Sequence, residues 1–512
     1  MFYNSFCGAI QGIEAHIIQV EADVCDGLPM FSIVGLLSSE TREAKDRVRI
    51  SMRNSGFRIP TKHITVNLSP ADIRKDGTAF DLAIAMALLA AFGYVPQECL
   101  TKTLFIGELS LDGSVRPVNG VLPVVCAAKE KGLNLCVVPK QNGKEASMVH
   151  GVQVIGISSL KEIVEYFSGT RKLEMEKEQN FQMEEQEYGM DFLEVSGQEN
   201  CKRALEIAVS GMHNVLLIGP PGSGKTMLAQ RIPSIMPELT FEESLEISKI
   251  YSISGLLDEK QAYVQTRPFR HPHHSITATT LVGGGRTPRP GEICLADGGV
   301  LFLDELPEFN QNTIEMLRQP LEEKKVTISR LNGSCTYPAK FMMVGAMNPC
   351  KCGFFPDRNR CNCSEYQIKN YLGKISMPLL DRIDLCVEAM EMTYKDLVVS
   401  KKGESSKDIR KRVKKARKIQ LERFRNENIF YNGEMNTSQV EKFCKLGEDE
   451  EKFMEQVFQK LRLSARSYHR ILKVARTIAD LDGQDEIIID HLSEAVCYRG
   501  LDKKYWGNEL WN

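Results

Sequence analysis

The chain has 512 residues, of which 42% are hydrophobic and 26% are charged. This composition is that of a globular protein, and the length exceeds what one hydrophobic core holds, so we expect two or three domains. The formal net charge of −2 excludes a generally basic protein, so any nucleic-acid partner would need a localised positive surface, such as the inside of a ring.

We expect neither export nor insertion into a membrane. The first residues, "MFYNSFCGAIQGIEA", lack the basic start and the long apolar core of a signal peptide. The longest apolar run, residues 82–95, is too short to cross a bilayer and predicts a buried helix. The chain is therefore expected in the cytoplasm, where its 15 cysteines stay reduced and any cluster of them favours a metal over a disulfide.

Residues 1–170 alternate short β-like runs with helical patterns. The runs include "AHIIQVEADV", "HITVNL", "LNLCVVP" and "VQVIGI", and helices are predicted over Glu40–Ser55 and Phe80–Phe92. This alternation predicts a compact α/β domain. Residues 171–192 are acidic, polar and poor in branched apolar side chains, which predicts a linker.

A second α/β domain is predicted over residues 193–400. Its runs "NVLLIG", "GVLFLDE" and "KFMMVGAMN" are continuously apolar, which is typical of parallel strands covered on both faces. Residues 401–512 place apolar side chains three and four positions apart, as in "SYHRILKVARTIADL", and predict a helical C-terminal region. The predicted fold class is α/β with a helical appendage.

The first of these apolar runs leads into a glycine-rich loop, "GPPGSGKT". It fits the pattern G-x-x-x-x-G-K-[ST] between a predicted strand and a predicted helix, the context in which this pattern binds a nucleoside triphosphate. Backbone N–H groups of such a loop and the N-terminus of the helix cradle phosphate oxygens. We expect Lys225 to reach the β and γ phosphates and Thr226 to bind Mg²⁺. The predicted ATP-binding residues of the loop are Gly219, Pro220, Pro221, Gly222, Ser223, Gly224, Lys225 and Thr226.

An acidic pair ends the second apolar run, in "VLFLDE". A carboxylate at the end of a buried strand can hold Mg²⁺ through water, and this is the role predicted for Asp304. Glu305 is then the general base, or at least the group that polarises the attacking water. An ordinary strand end that exposes two acids is the alternative, which the glycine loop upstream makes less favourable. The pair predicts hydrolysis of ATP and not binding alone.

Two further polar residues are candidates for the hydrolysis site. Asn348, in "GAMNP", follows the third apolar run, where its amide could orient the attacking water; taken alone, an Asn before Pro is turn chemistry. Arg382, in "PLLDRIDL", either pairs with Asp381 or Asp384 or serves as a finger in the site of a neighbouring subunit. The residue pattern leaves both alternatives open.

Histidines and cysteines each form one cluster. His271, His273 and His274 match none of the common zinc spacings, and the intervening proline restricts the backbone, so packing or polar contacts are favoured. Four cysteines form two C-x-C pairs joined by a short loop and can supply four thiolates to a structural Zn²⁺. Free thiols are the alternative. The predicted zinc ligands are Cys350, Cys352, Cys361 and Cys363.

Taken together, the motifs resemble those of one family. "GPPGSGKT", "RPFRHPHHS", "GGGRTPRPGEICLADGGVLFLDELPEF", "AMNPCKCG" and "PLLDRIDL" are similar to stretches of the Mg chelatase-like AAA+ ATPases, specifically the YifB/ComM group. The resemblance covers nearly the whole chain and implies a Lon-protease-like domain, an AAA+ core and a C-terminal helical lid. The departures are small: His271 stands where Ala is more frequent, and Asp297-Gly298 where His-Asn is usual.

The resemblance also implies roles for three residues. Asn348 matches the sensor 1 residue, Arg382 the finger that acts on a neighbouring subunit, and Arg466 the sensor 2 arginine of the lid. An ordinary arginine at a helix start is the alternative for Arg466, and Arg470 competes for the same role. Members of the family assemble as hexamers, so a homo-hexamer is expected.

The Lon-like resemblance includes the loss of a catalytic dyad. In "KDGTAFDL", Ala79 stands at the position of the Lon serine, and in "ELSLDGSVRPVNGVLPVV", Leu122 stands at that of the lysine. An alanine supplies no nucleophile and a leucine no base, so no peptidase activity through this dyad is expected. The hydroxyl of Thr78 next door keeps the alternative open.

Similarity to the ComM group implies a DNA helicase or branch-migration motor that acts on branched or single-stranded DNA during recombination of incoming strands. The alternatives are a protein remodeller with a non-cutting Lon-like domain and a subunit of the magnesium chelatase type, although the chain contains neither an integrin-like nor a porphyrin-binding domain. Membrane partners are not expected.

Basic residues in three places are candidate DNA contacts. "EEKKVTISRLNGSCTYPAKF" predicts a β-hairpin that carries Lys324, Lys325 and Arg330. Two loops rich in Gly and Pro add a predicted basic collar, formed by Arg267, Arg270, Arg286 and Arg289. Residues 401–425 are the densest basic segment and are either a solvated helix or a DNA-binding one.

Overall fold

A computed structural model describes residues 2–179, 189–258, 262–285, 288–330, 333–391 and 403–506. The chain divides into two compact units. The first comprises Met1–Met183, Thr240–Gln265 and Ser329–Thr336, and the second comprises Glu184–Leu239, Thr266–Ile328 and Tyr337–Asn512. Residues 180–188 of the predicted linker and residues 392–402, around the predicted end of the core, lie outside the described residues.

The first unit is built on a seven-stranded mixed sheet. Numbered in chain order, its strands and those of a short ribbon are β1 (Phe2–Gln11), β2 (Glu14–Cys25), β3 (Met30–Val34), β4 (His63–Ser69), β5 (Thr103–Phe105), β6 (Glu108–Leu109), β7 (Val115–Arg116), β8 (Leu135–Pro139) and β9 (Gln153–Ile157). The sheet order is β3-β4-β2-β1-β5-β8-β9, and β6 pairs with β7. Strand β2 is antiparallel to β1 and β4, whereas the other neighbours in the sheet are parallel.

Helices of the first unit confirm the predicted α/β alternation. They are Ser39–Arg42, Ala44–Asn54, Asp81–Ala91, Val121–Glu130, Gly143–Ala146, Leu160–Phe167 and Phe241–Ser254. Nearly every side chain of Asp81–Ala91 is buried, so the apolar run at 82–95 is the core helix that its composition predicted. In the part of the chain that the structure describes, no helix has the length and apolar character needed to span a bilayer.

Helix Phe241–Ser254 falls in the sequence range predicted for the second domain but groups with the first unit. Its Ser252 carbonyl accepts the N–H of Gly120 at 3.1 Å, and the Ser252 hydroxyl donates to the buried carboxylate of Glu145. A capping box at Thr240 starts the helix. Periodicity predicts that a helix forms but not which sheet it packs on.

The strands that follow along the chain are β10 (Val215–Ile218), β11 (Phe269–Arg270), β12 (Gly283–Gly284), β13 (Arg289–Pro290), β14 (Val300–Leu303), β15 (Lys325–Arg330), β16 (Gly333–Pro338), β17 (Met342–Met347) and β18 (Leu385–Glu388). Five of them form the sheet of the second unit, in the order β11-β14-β17-β10-β18, and every pairing in it is parallel. The three predicted apolar runs are β10, β14 and β17, and all their side chains are buried, as a sheet covered on both faces requires. Strands β15 and β16 form the predicted hairpin.

Helices cover this sheet and make up the chain beyond residue 403. The short ones are Ala278–Val282, Glu292–Leu295, Gln311–Glu315, Arg318–Glu323 and Met377–Leu380. The longer ones are Glu199–Gly211, Lys225–Ile235, Glu365–Leu372, Ser406–Arg423, Thr437–Phe443, Glu448–Leu461, Ala465–Asp482 and Ile489–Trp506. The predicted helical C-terminal region is confirmed, and its apolar side chains share one hydrophobic cluster with the sheet.

Candidate nucleotide-binding and hydrolysis site

Three neighbouring parallel strands end at one edge of the second sheet. Ile218 of β10 is in register with Met347 of β17, and Leu303 of β14 is in register with Gly345. The glycine loop follows β10, the acidic pair follows β14 and Asn348 follows β17. The carboxyl edge of a parallel sheet is where such folds bind ligands. The fold therefore brings together three motifs, the first and last of which, at Lys225 and Asn348, are 123 residues apart in sequence.

Lys225 begins helix Lys225–Ile235, and its ammonium group lies within the glycine loop. The ammonium lies within hydrogen-bond distance of four oxygens: the carbonyls of Gly219 and Pro220 at 2.8 Å, Ser223 Oγ at 3.3 Å and Asn348 Oδ1 at 3.2 Å. Burial lowers the pKa of Lys225, and the nearby carboxylate of Asp304 opposes this shift. The turn that shapes the loop places Gly222 and Gly224 at φ of 77° and 83°, a region that favours glycine.

Thr226 and Asp304 form an oxygen pair beside Lys225. The Thr226 hydroxyl donates to Asp304 Oδ2 at 2.6 Å. Hydroxyl and carboxylate oxygens are the ligands that Mg²⁺ takes, and it keeps several waters when only one or two protein groups bind it. These two residues therefore fit a magnesium ion that also binds phosphate.

Glu305 adopts a left-handed backbone conformation, with φ of 52°. Its N–H donates to Asp304 Oδ1 at 2.9 Å, and its side chain is 61% exposed, with Oε2 3.7 Å from Nδ1 of His274. The two adjacent acids thus have different surroundings: one carboxylate is held by Thr226 and the other is open to solvent beside a histidine.

The position of His274 was not predicted. His271 packs its ring against Phe302 at 4.7 Å, and the rings of His273 and His274 lie 4.0 Å apart, which agrees with the predicted packing and polar contacts. His274 reaches Glu305 because its loop follows β11, which pairs with β14. Strand β11 has only two residues, too few to show an apolar run in the sequence.

Arg382 lies at the opposite edge of the sheet from the glycine loop. Its carbonyl accepts from Asn214 Nδ2 at 2.9 Å, just before β10 begins. Its buried guanidinium donates to the carbonyl oxygens of Arg318 at 3.0 Å and Pro378 at 2.6 Å and pairs with Glu322. The predicted alternative, a salt bridge to Asp381 or Asp384, is wrong because the side chain turns toward helix Arg318–Glu323.

Arg466 and Arg470 also lie away from the glycine loop. Arg466 is 66% exposed and its guanidinium lies 3.9 Å from Glu322, the same carboxylate that pairs with Arg382. Arg470 pairs with the buried carboxylate of Asp384, and its guanidinium helps to hold the pKa of that carboxyl well below its usual range despite burial. Glu322 therefore brings Arg466 close to Arg382, whereas Arg470 pairs with a different carboxylate, that of Asp384.

The predicted basic collar is wrong for two of its four arginines. Arg267 is buried and donates to three backbone carbonyls, of Pro237, Glu238 and Gly298. Arg270 forms a two-pronged pair with Glu292, at 2.6 and 2.8 Å. Arg289 is exposed on β13, and Arg286 lies outside the described residues. Two of the four arginines therefore hold the fold together, which their loop composition did not indicate.

The hairpin exposes one of the cations that were predicted to contact DNA. Lys325 is exposed at the start of β15, whereas Lys324 is a helix C-cap whose pKa is lowered by burial, with the carboxylates of Glu434 and Asp384 opposing the shift. The side chain of Arg330 lies outside the described residues.

The basic segment at 401–425 contains helix Ser406–Arg423, and several cations of this helix are paired within the chain. Arg410 donates to the carbonyl of Ser234, Arg417 stacks on the ring of Tyr431, and ion pairs bind Lys414 to Glu238, Arg412 to Glu206 and Arg423 to Asp480. These contacts favour a structural role for the helix over DNA binding.

The four predicted zinc ligands converge. Their Sγ atoms all lie within 4.8 Å of one another, with Cys350 at 3.3 Å from Cys352 and 3.7 Å from Cys361. A tetrahedral zinc with bonds of about 2.3 Å requires sulfur separations of about 3.8 Å. The sulfur separations in the cluster are close to those that a tetrahedral Zn²⁺ ion requires.

The positions of the missing Lon dyad are filled by structural groups. Leu122 is fully buried, and its N–H donates to Glu145 Oε1 at 2.9 Å. Ala79 uses its carbonyl to accept the N–H of Gly107 at 3.0 Å. The Thr78 hydroxyl pairs with the carboxylate of Glu108. These contacts supply no lysine base at the position where the dyad would need it.

The parallel sheet, the glycine loop and the polar residues at its edge define an ATPase of the AAA+ class. Residues 191–397 match the family model "Magnesium chelatase, subunit ChlI", residues 20–142 match "Subunit ChlI of Mg-chelatase", and residues 403–499 match "Magnesium chelatase, subunit ChlI C-terminal". This class implies ATP and Mg²⁺ as cofactors, which the residues around Lys225 fit.

Relatives that match nearly the whole chain identify the family within this class. The chain is 42% identical over 502 residues to competence protein ComM of Haemophilus influenzae, covering 96% of both chains, and 41% identical over 499 residues to YifB of Escherichia coli, covering 97% of this chain and 96% of the relative. Lon protease 2 of Bacillus subtilis is 26% identical over 128 residues, 25% of this chain and 23% of that protein. The chain belongs to the YifB/ComM family of Mg chelatase-like ATPases.

Proposed function

We propose that the chain is a motor that hydrolyses ATP to move branched or single-stranded DNA, working in the cytoplasm as a homo-hexamer during recombination of incoming strands. The observation that carries the DNA assignment is the whole-length similarity to a protein named for competence. We retain the predicted domain bounds: a Lon-like domain without peptidase activity over 1–170, a linker over 171–192, an AAA+ core over 193–400 and a lid over 401–512.

The hydrolysis roles follow from the geometry at the carboxyl edge. Lys225 and the loop N–H groups would hold the phosphates, while Thr226 and Asp304 would hold Mg²⁺, whose positive charge would neutralise the phosphate oxygens. Asn348, already 3.2 Å from the Lys225 ammonium, positions the attacking water. Glu305 takes the proton from that water, because its carboxylate is the exposed member of the acidic pair.

The position of Arg382 supports the proposal of a hexameric ring. Strand β10 has four residues, Val215–Ile218, and spans about 13 Å at about 3.3 Å per residue. Arg382 lies before the start of this strand and the glycine loop lies after its end, so its guanidinium does not serve the phosphates of its own subunit. Serving a neighbour's ATP as an arginine finger requires a head-to-tail contact between subunits, and a hexameric ring repeats this contact at every interface.

Arg466 belongs to the same proposed interface. It meets Arg382 at Glu322, and its side chain is exposed. We assign it the sensor 2 role from this surface, where it would report the nucleotide state to the lid through helix Ala465–Asp482. Among the predicted DNA contacts whose side chains the structure describes, Lys325 and Arg289 are exposed, and we assign these two to DNA phosphates.

We also propose that the four cysteines of the AAA+ core bind a structural zinc ion. Four thiolates on one loop bind Zn²⁺ more tightly than Mg²⁺ and leave no open position for catalysis. The ion would fix residues 350–363 directly after Asn348.

Protein remodelling is the second candidate, because the N-terminal unit is similar to part of a Lon protease. Incubation of the purified chain with a labelled four-way junction, with and without ATP, separates the two. We expect the junction to stimulate ATP hydrolysis and to be converted to separated duplex arms only with ATP. Stimulation by an unfolded protein and none by the junction would replace the DNA motor with the remodeller.

A further inference from the structure

A basic cleft opens in the N-terminal unit, remote in sequence from the ATP-binding residues. Its volume is about 570 Å³, within the range of ligand-binding clefts. Its walls come from the turn before β3, from helix Ala44–Asn54 and from the loop that leads into β4. All three segments belong to the first unit.

Four cations line this cleft and one acid offsets them. Arg49 and Arg53 come from the helix, and Arg58 and Lys62 come from the loop. Lys62 Nζ lies 3.3 Å from the exposed carboxylate of Asp26. Arg49, Arg53 and Arg58 are exposed, and no residue that the structure describes forms an ion pair with them.

The helix shows that this charge is not a general feature of its surface. Arg47, on the same helix, pairs with the buried carboxylate of Asp81 at 2.8 Å. Arg49 and Arg53 are instead four residues apart, so they lie on one face, where like charges repel and destabilise a helix. In a chain whose net charge is −2, this local excess of positive charge is complementary to an anionic ligand.

The floor of the cleft is apolar and aromatic. It contains Phe31, Phe57, Ile59 and Ile64. The ring of Phe57 packs edge-on against Tyr94 at 5.1 Å, and the Tyr94 hydroxyl accepts the N–H of Arg58 at 2.9 Å. These contacts hold the loop in place, so the aromatic floor and the basic rim are fixed relative to each other.

An anion with flat apolar groups fits both features. Single-stranded nucleic acid offers phosphates to the arginines and unstacked bases to the aromatic floor, whereas the bases of a duplex are stacked inside and do not enter a cleft of this size. An extended peptide could pair with β3, which is the edge strand of its sheet, but a peptide gains nothing general from four cations.

We propose that this cleft binds single-stranded DNA through Arg49, Arg53, Arg58 and Lys62, with the bases over Phe31 and Phe57. The proposal rests on the DNA motor described above and adds a site for one strand in the N-terminal unit. Binding here is independent of base sequence, because stacking and phosphate contacts do not read base edges.

Binding of a fluorescent oligothymidine to the full-length protein, measured by anisotropy without nucleotide, tests the site. R49E/R53E is compared with K131E/K140E, which makes the same change of charge at two exposed lysines of the same unit that do not line the cleft. We expect R49E/R53E to weaken binding by about tenfold or more and to reduce the slope of log affinity against log salt by about 1.4, and the control to do neither. ATP hydrolysis without DNA should be unchanged in both.

The outcomes separate this inference from the DNA motor. If wild type neither binds oligothymidine nor responds to the junction, the proposed function fails and the cleft assignment fails with it. If wild type binds and R49E/R53E binds equally well, or if the control weakens binding as much, the cleft assignment alone is wrong. It is also wrong if an unfolded polypeptide, and not DNA, loses affinity in R49E/R53E. R49Q/R53Q replaces the charge-reversal variant if that variant loses basal ATP hydrolysis, and it should weaken binding in the same direction.

Discussion

The two acids after β14 are adjacent in sequence, yet their backbone separates them. Glu305 is in the left-handed region, which a non-glycine residue occupies at a cost and retains where the surrounding structure requires it. The turn leaves Asp304 bonded to Thr226 and turns Glu305 to the open side. A metal-binding acid and a general base need these different surroundings.

Replacing Glu305 by Gln should therefore separate binding from hydrolysis. The amide keeps the size of the side chain but takes no proton from water, so we expect E305Q to bind ATP normally and to hydrolyse it about 10²–10⁴-fold more slowly. Phosphate release and nucleotide titration measure the two effects. E308Q is the matched control, because Glu308 pairs with Lys374 and should leave both unchanged. Normal hydrolysis by E305Q would remove Glu305 from the catalytic assignment.

The buried ammonium of Lys473, in the helical C-terminal region, should make stability depend on pH. Burial lowers the pKa of its ammonium to about 8, with Asp384 opposing the shift and Arg470 adding to it. In the unfolded chain the pKa returns to about 10.4, so between these values the unfolded state binds more protons than the folded state. The contribution of Lys473 to the free energy of unfolding therefore rises with pH across this window.

Lys473→Met should remove that rise. We expect wild type to gain stability from about pH 8 to about pH 10 relative to the variant, and the variant to be the more stable of the two near neutral pH. Urea denaturation at several pH values measures the difference. Lys452→Met, at a lysine that is 68% exposed, is the control and should run parallel to wild type. A constant difference between wild type and Lys473→Met would contradict the account.

Among the helices and strands, those with a strong local sequence pattern could be predicted. The buried runs at β10, β14 and β17 were predictable because a parallel sheet covered on both faces leaves no polar positions. The grouping of Lys225, Asp304 and Asn348 followed from the parallel order of those strands. Arg267 and Glu322 were not predictable, because nothing in their spacing shows which carbonyls or guanidinium groups the fold brings to them.

The cysteine loop, residues 350–363, contacts the glycine loop directly. Gly353 has φ of 89°, and a Cβ built on it would overlap the ring of Pro221. The loop also follows Asn348, whose amide bonds to Lys225. Zinc binding would therefore hold both the glycine loop and Asn348 in place.

Gly353→Ala should disturb the phosphate loop from outside the nucleotide site. The added methyl group has to displace Pro221, so we expect ATP affinity to fall by about tenfold, while one zinc per chain remains bound because the four thiolates are unchanged. Nucleotide titration and metal analysis of the same sample measure both. Gly132→Ala is the control for backbone strain, since Gly132 has φ of 77° and a Cβ there would meet nothing within 4 Å. Equal ATP affinity in wild type and Gly353→Ala would show that the two loops are not coupled.

The second unit as a whole has two edges with different chemistry. Lys225, Thr226, Asp304, Glu305 and Asn348 lie at the carboxyl edge of the sheet, and Arg382, Arg466 and Glu322 lie at or near the amino edge. In the function proposed above, one subunit carries both groups of residues that an ATP site needs, at opposite edges of its sheet. The separation, about the length of β10, is what makes assembly a condition of hydrolysis in this account.

Mixing two inactive variants tests most directly whether neighbouring subunits share an ATP site. E305Q lacks the general base and R382A lacks the finger, so each alone should hydrolyse ATP poorly while still binding it. In rings mixed at equal amounts, about a quarter of the interfaces pair an intact Glu305 with an intact Arg382 from the next subunit. We predict that the mixture regains up to about a quarter of wild-type hydrolysis. Full activity of R382A as a monomer, or no recovery in rings shown to have exchanged subunits, would contradict a site shared between neighbours.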